Sequence, residues 1–207
     1  MVGDSSASSD ETGEIDTTMI PKIISRRAPS SIGEGDWLIG FCGSNRFGQL
    51  LGHVDPFSRN GRNSQGSVTA FQKDVYYWMI EYWVESAREF TRNRGLEWND
   101  DGAHAAEHHL VAIRDRLMWV QDDWHVTELE VPYTAIGSGA IFAHAALNLT
   151  VGVDELDNAK GVAEKVVDVQ DAVVFHCNKV RPPYWHAETG LRAQRSRDHT
   201  VKHWPSE

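Results

Sequence analysis

The chain reads as an α+β protein, with helices layered on the outer faces of mainly antiparallel sheets. Three features carry this reading. Short β-branched or aromatic runs come in blocks bounded by Gly, Pro and Ser, and pairs of helical stretches separate the blocks where parallel βαβ units would have single crossover helices. Leu110–Arg114 and Leu117–Gln121 stand two residues apart, the spacing of a β-hairpin. Val75, Met79, Tyr82, Trp83, Ser86 and Phe90 recur at helical intervals.

Taken in order, Met1–Ala7 reads as the last residues of a strand running into a turn. Ile20–Ile24 and Trp37–Cys42 follow strand grammar. Gly43-Ser44-Asn45 then breaks the strand and starts a helix through Phe47, Leu50 and Leu51. Ser58–Ser67 is rich in Gly, Asn and Ser and predicts a loop. The long amphipathic helix from Val75 stops near Asn93-Arg94-Gly95, and its aromatic stripe predicts core packing. Asp115-Arg116 is the expected hairpin turn. Tyr133–Ile136 predicts a strand that Gly137-Ser138-Gly139 turns into a helix with apolar Ile141, Phe142, Ala145, Ala146 and Leu149, the same design as the turn at Gly43. Asp157-Asn158 can cap a helix carrying Val162, Val166, Val167 and Val169, after which Val173–Cys177 predicts a strand. Pro182-Pro183 opens a tail, Lys179–Glu207, without sustained periodicity, expected to be an irregular extension that is either docked on a neighbour or solvated.

Composition narrows the function classes. The 207 residues, 41% hydrophobic and 24% charged, suffice for one domain or two small ones without disulfide or metal staples. Twenty Lys+Arg against 30 Asp+Glu give a net charge of −10, which argues against nucleic-acid binding and against a polybasic membrane footprint. The tail alone is basic, with six basic against three acidic residues. Met1–Thr18 holds five acids (Asp4, Asp10, Glu11, Glu14, Asp16) and no Lys or Arg, the opposite of a signal peptide's basic start. No run approaches the eighteen or so apolar residues of a membrane helix. Cys42 and Cys177 both lie in apolar runs and read as reduced core thiols, which fits a cytoplasmic setting.

Two patterns could carry chemistry. His104-Ala105-Ala106-Glu107-His108 matches the H-x-x-E-H zinc motif, but Gly102 and the strand from Leu110 leave a helix of about two turns at most, so a solvated face is the expectation. The second pattern is distributed: Gly3-Asp4-Ser5, Pro21-Lys22-Ile23, Gly40-Phe41-Cys42-Gly43 and Ala135-Ile136-Gly137-Ser138-Gly139-Ala140 fall, in that order, at strand ends or turns. Singly, each has an ordinary structural explanation. Together, with the Ala-rich helix after Ala140 and the stretch ending in Asn178, they resemble the proteasome β-subunit and HslV-like family of N-terminal nucleophile hydrolases, including its bacterial, phage and actinobacterial members, over roughly residues 1–178.

The resemblance implies a four-layer αββα sandwich assembled into homo-oligomeric rings, no cofactor, a peptide or protein substrate, and an ATP-dependent unfoldase as a candidate partner. It implies that a terminal hydroxyl is activated by its own α-amine, whose pKa near 7.7–8.0 suits a general base. In this scheme Lys22 supplies the nearby ammonium, Asp4 orients it, the Gly43 backbone N–H stabilises the oxyanion and Ser138 hydrogen-bonds near the amine. The matching late carboxylate is Asp168 or Asp171, with Asp168 preferred. Phe41, Cys42 and Asn45 are expected to line the pocket at the Gly43 turn. The family's nucleophile strand is not in the sequence, since only Met1, Val2 and Gly3 precede Asp4 and Thr17-Thr18 lie beyond it. The expectation is therefore a threonine-type peptidase whose Thr or Ser lies upstream of Met1, or a catalytically inactive subunit with a structural or assembly role.

Overall fold

The computed structural model describes residues 2–3, 6–8, 15–17, 22–27, 36–59, 62–96, 107–114, 116–131 and 133–151, together with 165–166, 169, 173, 185–186 and 194–195. Three short strands, β1 (Val2–Gly3), β2 (Ser6–Ser8) and β3 (Ile15–Thr17), precede β4 (Ile23–Arg27) and β5 (Asp36–Phe41). Helix α1 (Asn45–Leu51), a small hairpin of β6 (Ser58–Arg59) and β7 (Arg62–Asn63), and α2 (Gln65–Lys73) come next. Then α3 (Val75–Trp78), a π-helical stretch (Met79–Val84) and α4 (Glu85–Arg92) run on without a break. Strands β8 (His109–Ile113), β9 (Arg116–Val120) and β10 (Val126–Glu128) are followed by α5 (Ala140–Thr150), β11 (Trp185–His186) and β12 (Gln194–Arg195).

The central sheet is antiparallel with order β10-β9-β8-β5-β4. Its register sorts the side chains by period two. Ile24, Ile39, Val111 and Met118 align on one face and pack against α1, α2, α3 and the π-helical stretch through Phe47, Leu51, Phe71, Trp78 and Trp83. Ile23, Gly40, Leu110 and Trp119 align on the other, where Ile23, Leu38 and Leu110 are also buried, so the sheet is covered on both sides. This gives the layered α+β architecture the sequence predicts. A second cluster, Leu147, Val151, Val169 and Val173, forms where α5 meets the later helical residues.

Tryptophans dominate the first core. Trp37 meets Trp78 and Trp83 edge-on at centroid distances of 5.7 and 4.9 Å, and Phe57 stacks on Trp78 at 5.2 Å. The Trp78 indole N–H donates to Ser67 Oγ at 2.9 Å, which satisfies a fully buried donor. Ser44, Ser64 and Asp74 cap α1, α2 and α3.

Several elements differ from the sequence expectations. The hairpin forms, but Arg116 is in β9 and pairs with Ile113, and Arg114 turns the chain in the left-handed region (φ 57°). The expected loop Ser58–Ser67 contains β6, β7 and the start of α2, because Ser64 supplies an N-cap that the polar composition concealed. Tyr133–Ile136 is not a strand: Ala135 N–H is satisfied by His144 Nε2 of α5. Val173 is helical and not the start of a strand, since its four-residue spacing from Val169 brings both onto the cluster with Leu147. Trp185–His186 and Gln194–Arg195 form strands within the tail expected to be irregular, and Trp185–His186 pairs with Val2–Gly3. No described helix is long and apolar enough to cross a membrane.

Candidate active site at the Gly43 turn

Three neighbouring strands deliver side chains to one end of the central sheet. Lys22 precedes β4, and its carbonyl accepts the Phe41 N–H at 3.1 Å. Cys42 follows β5, and its N–H donates to the His108 carbonyl at 3.2 Å, continuing the β5–β8 ladder one step beyond Phe41 and His109. The next step places Gly43 beside Glu107. Gly43 takes φ +84°, which a side chain would strain, and a Cβ there would lie 2.2 Å from Glu107 Oε2. The glycine is thus required by its dihedral angle, and the end of the flexible Glu107 side chain lies over it.

The turn that opens α5 closes on the first. Gly137 has φ +88°, and a Cβ there would meet Cys42 Cβ at 3.1 Å. Ser138 follows on the exposed side of this turn, and the Ala140 N–H bonded to the Gly137 carbonyl at 3.0 Å begins α5. Lys22, Gly43 and the Gly137-Ser138 turn, far apart in sequence, are therefore brought to one end of the fold. Asp4, Asp168 and Asp171 lie outside the described residues.

The local field is acidic. Burial first, and then the Glu107 carboxylate, push the Cys42 thiol up to about 11 against the smaller opposing effect of the Lys22 ammonium. The thiol is protonated at neutral pH and donates to the His108 carbonyl at 3.6 Å, so it is half-buried at the edge of the site and not the core thiol that its apolar neighbours suggest. Asn45, the first residue of α1, has a buried side-chain oxygen with no hydrogen-bond partner among the described residues.

Behind the site, His109 is completely buried. Trp83 Nε1 can only donate, so the 3.2 Å contact makes His109 Nε2 an acceptor and leaves Nδ1 to donate to the Glu107 carbonyl at 3.0 Å. Burial holds this imidazole down to about 4, and it is neutral under ordinary conditions.

The H-x-x-E-H pattern is not a helical zinc site in its described part. Glu107 and His108 lie in neither helix nor strand, and His108 Nδ1 accepts from Trp119 Nε1 at 3.3 Å. Among the described residues no group of His, Cys, Asp and Glu could hold a metal ion. Glu107, which the sequence offers only within the H-x-x-E-H pattern, is set against Gly43, a placement that sequence reasoning missed. The available signal was its place two residues before a strand that neighbours the Gly40–Gly43 segment.

No protein-family profile matches the chain, and no curated protein matches it in sequence. Solved structures do match in shape. Eukaryotic HslV from Trypanosoma brucei aligns at TM-score 0.57 and 18% identity, over 91% of this chain and 90% of HslV. Thiobacillus denitrificans BPH in complex with epoxomicin aligns at 0.62 and 17%, over 94% and 91%. The Anbu complex from Pseudomonas aeruginosa, solved as a helical assembly, aligns at 0.59 and 13%, over 89% and 73%. These likenesses coincide with the resemblance carried by the turn motifs, and the chain has the proteasome-like fold shared by HslV and Anbu.

Proposed function

We propose that this proteasome-fold chain is a peptidase subunit that hydrolyses amide bonds with an N-terminal Thr or Ser encoded upstream of Met1. The observation that carries the reading is the convergence of Lys22, Gly43 and the Gly137-Ser138 turn at one sheet end. In the proposed step the terminal α-amine takes the hydroxyl proton as the oxygen attacks the amide carbon. The Gly43 N–H receives the oxyanion. The proton then passes to the departing amine, and water cleaves the resulting ester to regenerate the hydroxyl. Lys22 favours the deprotonated forms, Asp4 orients Lys22, and Ser138 and Asp168 hold the amine. Assembly as a homo-oligomer is supported by Ile141 and Leu149, 74% and 88% exposed on α5, and by the Anbu assembly. An ATP-dependent unfoldase as feeder and a cytoplasmic location belong to the same proposal.

The test combines the intact mass of the natively expressed protein, with and without epoxomicin, and turnover of fluorogenic peptides. The expected result is a terminal Thr or Ser, an epoxomicin adduct, and turnover that falls at least about 100-fold in Lys22→Ala with assembly intact. A native N-terminus without a hydroxyl, or turnover unchanged in Lys22→Ala, overturns it.

A second reading, an inactive subunit with a structural or assembly role, is favoured by one observation. The Glu107 carboxylate rests on the glycine whose N–H would hold an oxyanion, and like charges there oppose the transition state. It predicts intact assembly and no turnover of any peptide.

A further inference from the structure

The His108 carbonyl anchors Cys42 twice, accepting its N–H at 3.2 Å and its thiol at 3.6 Å. Cys42 in turn carries both turns of the site: Gly43 is its chain neighbour, and a Cβ on Gly137 would meet Cys42 Cβ at 3.1 Å. What fixes the His108 peptide therefore fixes the peptide that presents the Gly43 N–H. Two indole–imidazole pairs do so, one from each side of the central sheet. Trp119 Nε1 of β9 donates to His108 Nδ1 at 3.3 Å. Trp83 Nε1 donates to His109 Nε2 at 3.2 Å, while His109 Nδ1 donates to the Glu107 carbonyl at 3.0 Å. An indole N–H can only donate, so His108 carries no proton on Nδ1 and His109 none on Nε2. A doubly protonated ring has no acceptor, so both rings are neutral, His108 with its proton on Nε2 and His109 with its proton on Nδ1. Trp83 reaches its partner from the π-helical stretch, a rare backbone form found frequently at functional sites.

We infer that His108 and His109 are positioning residues for the Gly43 turn: their opposite tautomers, set by Trp119 and Trp83, hold the His108 peptide so that Cys42 presents the Gly43 N–H to a developing oxyanion. The inference rests on the hydrolytic reading above for the use of that N–H, and on the hydrogen bonds for its placement. An oxyanion donor works only when aimed where charge will develop, and a misplacement of about 1 Å can cost about 100-fold in rate. Neither imidazole touches the reacting atoms in this scheme. Each acts through backbone: His109 holds the Glu107 carbonyl from the core side, and the tie from Trp119 holds the His108 ring on the other. Loss of either indole donor releases one side of the peptide to which Cys42 is bonded.

The inference is tested by NMR on the full chain together with peptide turnover, so its failure and the failure of the hydrolytic reading stay separate. Imidazole nitrogen spectra of the wild type should show His109 protonated on Nδ1 and His108 on Nε2, each signal assigned by its loss in His109→Gln or His108→Gln. Cys42-Gly43 is the one Cys-Gly pair in the sequence, so carbonyl-labelled cysteine with nitrogen-labelled glycine isolates the Gly43 amide. Trp83→Phe and Trp119→Phe, which remove the donor and keep an aromatic ring, should each shift that amide and lower kcat for fluorogenic peptides about tenfold or more, with KM within about twofold. Trp78→Phe strips a buried indole bond of the same kind, to Ser67 Oγ at 2.9 Å, and should leave both unchanged. Either ring charged or in the other tautomer overturns the inference. So does a Gly43 amide that is unmoved in both variants or moves as far in Trp78→Phe. The expected tautomers and a selective shift without any turnover uphold the positioning of Gly43 and overturn the hydrolytic reading. Turnover that is present but equal in the wild type and both variants overturns the inference and leaves the hydrolytic reading standing.

Discussion

Acidification from pH 7 to pH 4.5 should cost the fold about 2.5 kcal/mol through one side chain, His109. Its imidazole is fully buried between Phe47, Trp83 and Trp124, accepts from Trp83 Nε1 and donates to the Glu107 carbonyl. A proton on Nε2 would set two donors against each other inside an aromatic cage. Burial accordingly holds the group near 4, against an ordinary value of 6.5. Because the folded pKa is depressed, the unfolded chain takes up the proton first. The contribution of His109 is full above about pH 6.5 and is lost as pH falls from there through 4. The whole span is worth roughly 3 kcal/mol at about 1.4 kcal/mol per unit, with most of it gone by pH 4.5. Urea unfolding of the wild type and of His109→Gln, which does not titrate, isolates this term from the other histidines. The variant should be less stable by about 1–3 kcal/mol at pH 7, and the gap should close or reverse by pH 4.5. A gap of the same size at both pH values would refute the argument, because His109 would then titrate alike in both states.

Other expectations follow from the same packing. Gly43→Ala and Gly95→Ala both place a side chain at positive φ, and each should cost about 1–2 kcal/mol in thermal or urea unfolding. Only Gly43→Ala meets the Glu107 carboxylate, so Glu107→Ala should recover part of its loss and none of that of Gly95→Ala, where nothing lies within 4 Å. Ser67→Ala strips the buried Trp78 N–H of its acceptor and should cost about 1–3 kcal/mol by urea titration, with Thr as the rescuing residue. Leu149→Glu, on the exposed side of α5, should leave monomer stability within about 0.5 kcal/mol while lowering the assembled mass measured by light scattering; an unchanged mass would remove α5 from the interface.

How much the sequence discloses depends on whether local pattern or distant contact decides an element. β5, β8 and β9 were legible because their residues alternate between two faces and their ends are marked by Gly or a two-residue turn, whereas β4 was legible only in part, since the expected Ile20–Ile24 shares just Ile23 and Ile24 with the observed Ile23–Arg27, whose later residues are polar. The helix from Val75 was legible from its stripe, though its π-helical stretch was not, since nothing in Met79–Val84 breaks the helical spacing. Short β10 was missed because three residues carry no usable period. It is held by pairing with β9 and by Tyr76 Oη donating to the Val126 carbonyl at 3.1 Å, a contact made across the fold. Tyr133–Ile136 failed as a strand for the opposite reason: its β-like composition is real, but a histidine of α5 takes its backbone donor. In the site, the Gly43 and Gly137 turns could be read because positive φ leaves a glycine behind as its trace. Glu107 showed only as part of the H-x-x-E-H pattern, since its place against Gly43 comes from the strand register.

That register is itself fixed from the core. Cys42 bonds to the His108 carbonyl, Phe41 pairs with His109, and His109 Nδ1 bonds to the Glu107 carbonyl, so the backbone that carries the carboxylate is pinned from both sides. One pin is the same imidazole whose neutrality depends on burial among Trp83 and Trp124. A side chain that must stay uncharged to remain buried thus holds the backbone of its neighbour Glu107. The neutral histidine needs a dry aromatic core, and the carboxylate needs the open end of the sheet, only two residues away. The strand entrance at Glu107–His109 is where the fold passes from one environment to the other.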